Sequence, residues 1–298
     1  MNNQNSNSSD ACGDDSTAMC CANFYEQDIV QELMGGSFHP GGIDLSRKVV
    51  ESLALTPGQT VLDVACGVGT TTRMMAGDFG LTATGLDFSE INVQKARTTT
   101  DAPAAEPCCA PGEACGTPEL ATLGGNSAAK MGEAKFIQGS ADALGLDDGS
   151  FDGVTCECAV STFADQPAVA NEFFRVLKPG GVFAMTDMVV NSELPDDFSE
   201  KAAPWTCVAK ALSMTGYQQL FEQAGFELVR SEDHSHTLLE LATEMKRKLV
   251  MAGMGKALGA LPSLGMNLRE MRAMLTQSTE LVKAESIQYG LLLFKKPI

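Results

Sequence analysis

Residues 60–97 read TVLDVACGVGTTTRMMAGDFGLTATGLDFSEINVQKAR. The pattern predicts a buried strand, a glycine turn, a helix, a second strand ending at Asp87 and another helix from Ser89, which together form a βαβ unit. Gly67 and Gly69 fall in the strand-to-helix turn, where backbone can approach a ligand closely and the amides of a helix start are free. The turn therefore implies a nucleotide-like ligand, although a tight structural turn would read the same way.

Asp87 strengthens that interpretation. It ends the second strand about 20 residues after the turn, where a carboxylate can accept hydrogen bonds from both ribose hydroxyls. The structural alternative is an exposed helix cap before Ser89. Thr72 stands where a dinucleotide fingerprint has its third glycine, which counts against NAD.

Strands and helices keep alternating outward from this unit, which predicts an α/β fold with a doubly wound, mostly parallel sheet and right-handed crossovers. Residues 1–22 are polar and predict a flexible, cysteine-containing tail. Residues 23–298 predict one domain with two insertions, a cysteine-rich loop over about 98–133 and a helical lid or insertion over about 237–283 before the last strand. A further helix is predicted over 205–212.

Composition excludes several classes of protein. The chain has 298 residues, with 21 Lys and Arg against 38 Asp and Glu, and its net charge of -17 argues against nucleic acid or an anionic membrane as partner. No apolar run reaches the ~18–20 residues of a bilayer span, and the first residues do not form an export signal. We therefore expect a cytoplasmic protein whose ten cysteines are thiols. Its oligomeric state is not predicted.

The insertion over about 98–133 contains Cys108, Cys109 and Cys115. A helix that leaves the end of the second strand runs back to the opposite edge of the sheet, whereas ligands bind at the carboxyl ends of the strands. We therefore expect the insertion to lie far from the ligand. Its cysteines form either a distal soft-metal or metalloid site or a loop without a ligand.

Four segments, in order and spacing, resemble the class I S-adenosylmethionine-dependent methyltransferases: VLDVACGVG, ATGLDFSEINVQKAR, FIQGSADALGLDDGSFDGVTC and RVLKPGGVFAMTD. The resemblance covers residues 57–190 and implies a Rossmann-like sheet of seven strands with S-adenosylmethionine as cofactor. It also implies the cofactor contacts: Gly67 and Gly69 under the methionine portion, Asp63 nearby, Asp87 on the ribose, Phe88 beside the adenine, and Ala141 with Asp142 at the adenine's polar edge.

Within that class, CECAVSTF, ELPDD and PWTCVAKALS resemble the arsenite methyltransferase branch. Those enzymes carry one thiol after the fourth strand and another after the fifth, and Cys158 and Cys207 match these positions. Cys20 or Cys21 matches a further thiol near the N-terminus. A thiol of the branch within the glycine motif is replaced here by Thr72.

The cysteines at these positions supply thiolate ligands, which soft elements such as trivalent arsenic prefer. Two or three thiolates can hold trivalent arsenic while its lone pair attacks the sulfonium methyl, with a thiol reductant as co-substrate, and this step needs no general base. Antimony, selenium or tellurium would bind in the same way. Two alternatives remain: a small organic acceptor such as a thiol, phenol or quinone-like ring, and a non-catalytic cysteine-rich metal-binding protein. The lack of an obvious general base disfavours an organic acceptor. The intact glycine turn and Asp87 disfavour a non-catalytic protein, which would not need a cofactor site.

Other reactive side chains have plainer interpretations. Cys66 and Cys156 are expected to pack in the core, as free cysteines often do. His234 and His236 share one face of a strand, where they form either a metal-binding pair or a solvated or hydrogen-bonded one.

Overall fold

The computed structural model describes residues 39–99, 132–196, 198, 207–208, 210–252 and 268–298. The predicted tail over 1–22 and most of the 98–133 insertion lie outside these residues. The predictions for them stay predictions.

The described segments alternate strands and helices in the predicted order. The helices are α1 (Gly42–Ser52), α2 (Thr70–Phe79), α3 (Glu90–Thr98), α4 (Gln166–Val176), α5 (Met214–Gln223), α6 (His236–Ala252) and α7 (Leu268–Lys283). The strands are β1 (Thr60–Val64), β2 (Thr82–Asp87), β3 (Glu133–Gln138), β4 (Phe151–Glu157), β5 (Leu177–Val190), β6 (Glu227–Asp233) and β7 (Ile287–Lys295).

The strands form one seven-stranded sheet in the order β3-β2-β1-β4-β5-β7-β6. The first five in this order run parallel, and β7 lies antiparallel between β5 and β6. The order reverses direction between β1 and β4, so the carboxyl ends of these two strands flank the crevice where ligands bind in doubly wound sheets. The fold prediction is confirmed.

Two hydrophobic clusters cover the two faces of the sheet. On one face α4 and α5 pack over β4 and β5, with an aromatic group made of Phe173, Phe183, Phe221, Phe226 and Phe294. On the other face α1 and α2 pack on β1, β2 and β7. With both faces covered, the central parallel strands are almost continuously apolar, as in TVLDV, instead of alternating.

The helix predicted over 205–212 is wrong where the structure describes it, because residues 207–208 and 210–212 are not helical. Cys207 has a φ of 52°, in the left-handed region, which interrupts any helix there. The predicted lid contains α6 and α7, which pack against each other.

The ends of the 98–133 insertion lie where topology predicts. Thr99 caps the end of α3, and β3 begins at Glu133, which pairs with Thr82 at the start of β2. The backbone N–H of Gly132 donates to Ala76 in α2 at 3.0 Å. Both ends therefore lie toward the amino ends of the strands, at the edge opposite the crevice.

Among the described residues, no helix combines the length and the apolar character needed to cross a bilayer.

Candidate active site

The glycine turn lies between the carboxyl end of β1 and the start of α2. Gly67 and Gly69 have φ values of 55° and 82°, which only glycine adopts without strain. A Cβ added at Gly69 would lie 2.4 Å from the ring of Phe136. The turn therefore keeps its backbone close to the ring of Phe136 in β3.

Asp87 is tied to that turn. One carboxylate oxygen accepts the backbone N–H of Gly67 at 2.8 Å, and the other accepts the N–H of Ser89 at 2.9 Å. Its exposed fraction is only 8%, and the cap of α3 is instead Ser89, whose hydroxyl accepts from Asn92. Asp87 is thus not an exposed helix cap. Its carboxylate lies at the carboxyl end of β2 and is fixed there by two backbone N–H groups.

Asp63 is buried at the end of β1 beneath the turn. The hydroxyl of Thr72 donates to it at 2.6 Å and that of Thr155 at 3.1 Å. The pKa of Asp63 is raised to about 7, mainly by burial and also by the neighbouring charge of Glu157. The hydrogen bonds from the two hydroxyls lower this pKa and offset part of the rise. Thr72 therefore supplies a hydroxyl to a buried carboxyl at the position where the arsenite branch carries a thiol.

The residues predicted around an adenine follow β2 and β3, which are neighbours in the sheet. Phe88 is 50% exposed, and its carbonyl accepts from the side chain of Gln138. Ala141 is buried, and the exposed Asp142 accepts from the hydroxyl of Ser140. An exposed aromatic ring beside a short polar loop suits a flat, partly polar ring.

Cys158 and Cys207 are brought together. Their side chains are hydrogen-bonded, and this contact, with burial, raises the pKa of the Cys158 thiol well above its usual range. Cys207 is buried and Cys158 is partly buried. Cys158 directly follows β4, and its N–H donates to the carbonyl of Thr186 in β5 at 2.7 Å. The thiol pair thus lies at the carboxyl ends of β4 and β5.

Further polar groups surround this pair. Tyr289 is hydrogen-bonded to Cys158 and also donates to Thr186 at 3.0 Å. Asp187 is fully buried and accepts from the N–H and the hydroxyl of Ser161 at 2.9 and 2.6 Å. Burial raises the pKa of Asp187 to about 7. The buried thiols therefore have polar side chains as neighbours within an otherwise apolar core.

A histidine and a glutamate also meet at the crevice, and sequence reasoning missed both. His39 Nε2 lies 3.6 Å from Glu157 Oε2 and 3.0 Å from the hydroxyl of Ser46. Thr71 donates to Glu157 Oε1 at 3.0 Å and lies 3.2 Å from Ser46 Oγ. The position of Glu157 beside Cys158 at a strand end was the available signal, but the sequence did not reveal that His39, before α1, would reach it.

The remaining candidate residues stay apart from this site. Cys20, Cys21, Cys108, Cys109 and Cys115 lie outside the described residues. Cys156 is fully buried in the core, as predicted, and Cys66 is partly buried in the glycine turn. Within the described segments, no group of three or more His, Cys, Asp or Glu is placed to hold a metal ion.

The two histidines after β6 differ in burial. His234 is buried and hydrogen-bonded to Glu232 at 3.0 Å, whereas His236 is exposed, with 5.8 Å between the two ring centroids. The hydrogen-bonded interpretation fits this pair.

Two family models, each described as a methyltransferase domain, match residues 62–185 and 125–248. An uncharacterized methyltransferase of Synechocystis is 30% identical over 206 residues, which are 67% of this chain and 82% of that protein. This chain belongs to the methyltransferase family. The methyl donor of the family is S-adenosylmethionine.

Several relatives of this methyltransferase carry names that specify an acceptor, among them a hydroquinone, phosphoethanolamine and arsenite. A 2-methyl-6-phytyl-1,4-hydroquinone methyltransferase of Synechocystis is 31% identical over 57% of this chain and 47% of its own length. An arsenite methyltransferase of Halobacterium salinarum is 27% identical over 59% of this chain and 39% of its own length. The chain therefore spans less than half the length of either relative.

Solved structures show the same fold. A mycolic acid cyclopropane synthase in complex with S-adenosylhomocysteine matches with a TM-score of 0.72 at 16% identity, over 94% of this chain and 98% of that one. The likeness places the sheet of this methyltransferase in the Rossmann-like class.

The residues at the crevice fit the donor. The left-handed glycine turn keeps side-chain bulk away from the crevice, the carboxylate of Asp87 is fixed by backbone N–H groups where the sequence predicts the ribose, and the half-exposed Phe88 has a free ring face. Glu157 adds a buried carboxylate whose Oε2 has no hydrogen-bond partner among the described residues. When bound, S-adenosylmethionine supplies a methyl group on a positively charged sulfur.

Proposed function

We propose that this protein transfers the methyl group of S-adenosylmethionine to a trivalent metalloid, arsenite or methylarsenite, held by Cys158 and Cys207. The single observation that carries the proposal is the hydrogen-bonded thiol pair at the carboxyl ends of β4 and β5. Thiol sulfur is the ligand that soft elements prefer. The arsenite methyltransferase among the relatives also supports it.

Binding at the pair needs no external base. As each As–S bond forms, an As–O bond breaks, and the proton of the thiol leaves with the hydroxide as water. The raised pKa of Cys158 therefore does not prevent binding, because the thiol proton is consumed in the exchange. The two sulfur atoms then hold the arsenic, and its lone pair remains free to attack the methyl group. Methylation oxidises arsenic, so repeated turnover requires an external thiol reductant.

The direct test is a panel of acceptors. Protein, S-adenosylmethionine and a thiol reductant are incubated with arsenite, methylarsenite, antimonite, selenite or catechol, and methylated products are identified by mass spectrometry. We expect methylated arsenic. Methylated catechol without methylated arsenic would contradict the metalloid assignment.

Serine variants locate the acceptor. Cys158→Ser and Cys207→Ser keep the shape but replace a soft ligand with a hard one, so arsenic methylation should fall at least a hundredfold while donor binding is kept. Cys156→Ser is the matched control, because Cys156 is buried in β4 within the hydrophobic cluster on one face of the sheet, whereas Cys158 and Cys207 belong to the cluster on the other face. Near wild-type rates for both site variants would show that the thiols only pack.

A small organic acceptor is the second candidate. His39 Nε2 lies at the crevice 3.6 Å from Glu157 Oε2, and imidazole is the side chain that most often acts as the general base for an organic hydroxyl. The hydroquinone methyltransferase among the relatives is consistent with this reading. His39→Asn should abolish catechol methylation and spare arsenic methylation, so the variant separates the two acceptors.

A further inference from the structure

Tyr289 is a buried tyrosine on β7 whose hydroxyl reaches the thiol pair. The exposed fraction of the residue is 0%, and it lies in the hydrophobic cluster that contains Cys207 and borders Cys158. In the antiparallel register Tyr289 faces Met188 of β5, and its hydroxyl lies 3.0 Å from Thr186 Oγ1. The same hydroxyl is hydrogen-bonded to the side chain of Cys158. Because burial of a hydroxyl is costly unless it is hydrogen-bonded, these two contacts explain a tyrosine where phenylalanine would fill the same space.

The hydroxyl of Tyr289 has one proton for two neighbours. It donates this proton to Thr186, whose own hydroxyl both donates and accepts. A hydrogen bond to a charged sulfur is charge-assisted and therefore stronger than one between two neutral hydroxyls. When the sulfur of Cys158 carries negative charge, the proton of Tyr289 therefore turns to the sulfur, and Thr186 donates to the oxygen of Tyr289 in its place.

The other neighbours of Cys158 disfavour negative charge on its sulfur. The hydrogen bond with Cys207, burial and the charge of Asp187 all raise the pKa of the Cys158 thiol, whereas the hydroxyl of Tyr289 lowers it. Tyr217 is a further buried tyrosine nearby, but its hydroxyl donates to a backbone carbonyl of β5 at 3.0 Å. Tyr289 is therefore placed to offset the unfavourable surroundings of this thiolate.

We propose that Tyr289 is a positioning residue of the active site, which donates its hydroxyl proton to the sulfur of Cys158 whenever that sulfur gains negative charge, with Thr186 completing the pair of hydroxyls. Such charge develops on the sulfur as it forms or releases a bond to an electrophile. The inference rests on the proposed function, in which Cys158 holds the acceptor. Its test measures the thiol without donor or arsenic, so either proposal can fail without the other.

The experiment measures how fast the partly buried Cys158 reacts with iodoacetamide. The folded protein is alkylated at several pH values, and the labelled Cys158 peptide is quantified by mass spectrometry. Tyr289→Phe removes the hydroxyl and keeps the ring. We expect Cys158 to react roughly tenfold more slowly in this variant than in wild type at each pH below the pKa of the thiol, because the thiolate is the nucleophile. Equal rates in the two proteins would show that the proposal is wrong.

Replacement of Tyr289 by 3-fluorotyrosine separates the hydrogen bond from packing. The fluorinated ring keeps the hydroxyl and nearly the same shape, but its phenol is more acidic and donates a stronger hydrogen bond. We expect Cys158 to react roughly twofold faster in this protein than in wild type. A structural role for Tyr289 predicts no such gain, so a rate equal to or below that of wild type would overturn the proposal. This measurement also serves if Tyr289→Phe does not fold.

Tyr217→Phe is the matched control. It also removes one buried tyrosine hydroxyl, but that hydroxyl donates to the backbone of β5. We expect Cys158 to react within roughly twofold of the wild-type rate in this variant. If Tyr217→Phe slows the reaction as much as Tyr289→Phe does, both changes only disturb the core, and the role assigned to Tyr289 is wrong.

Discussion

The side chains of Cys158 and Cys207 are hydrogen-bonded, and both residues have left-handed backbone, with φ values of 53° and 52°. Non-glycine residues in this region cost about 1–2 kcal/mol each. The fold keeps both because packing and the N–H bond from Cys158 to Thr186 fix the local chain. Strain at a pair of reactive groups is common at functional sites.

This strain predicts a difference between β-branched substitutions. Cys158→Val and Cys207→Val should lower the free energy of unfolding by about 1–2 kcal/mol more than Cys156→Val, because Cys156 lies in extended strand where valine fits. Urea denaturation of the three variants measures the difference. Equal losses at all three positions would show that the left-handed backbone relaxes at no cost.

Donor affinity should depend on Asp87. Asp87→Ala removes the predicted ribose acceptor and the bond to the N–H of Gly67, at roughly 1–3 kcal/mol. The affinity for S-adenosylmethionine should therefore fall roughly ten- to a hundredfold. Asp78→Ala is the control, since Asp78 lies at the far end of α2 and pairs with Arg47. An unchanged titration for Asp87→Ala would remove the ribose assignment.

The 98–133 insertion should be dispensable for methyl transfer. Its described ends lie toward the amino ends of the strands, away from the crevice. Replacing residues 100–131 with a short Gly-Ser turn should leave turnover at saturating acceptor near the original value. A variant that folds and binds donor but transfers no methyl group would place the insertion in the active site.

Asp63 should make stability depend on pH. Its pKa rises from 3.8 to about 7 on folding because of burial, so between these values the folded state holds a proton that the unfolded chain releases. The group's stabilising contribution is complete below about pH 4 and is lost as pH rises to about 7, with a slope of up to about 1.4 kcal/mol per pH unit.

Asp63→Asn cannot ionise, and its amide can still hydrogen-bond Thr72 and Thr155. Urea denaturation at pH 5 and at pH 7 measures the free energy of unfolding at each pH. Its decrease from pH 5 to pH 7 should be smaller for Asp63→Asn than for wild type. The other carboxyl groups, Asp187 included, titrate in both proteins, so the difference isolates Asp63. Parallel pH profiles for the two proteins would rule out a raised pKa at this position.

The sequence by itself determined the βαβ unit, the alternation of strands and helices, and the strand ends that carry Asp63, Asp87 and Cys158. These features depend on local patterns: apolar runs for buried strands, glycines for a left-handed turn, and the fixed handedness of parallel crossovers. The predicted helix over 205–212 failed at its described residues because the left-handed conformation of Cys207 is set by the structure around it and not by local propensity.

The resemblance predicted that Cys158 and Cys207 share one acceptor, but only the tertiary structure decided the other contacts at the site. His39 approaches Glu157 and Thr72 reaches Asp63 because neighbouring strands and the helices over them converge at one edge of the sheet. Sequence periodicity shows which face of an element is buried, but not which distant residue it faces. Contacts between segments depend on packing of the whole core, and so do the burial and shifted pKa values that give these groups their chemistry.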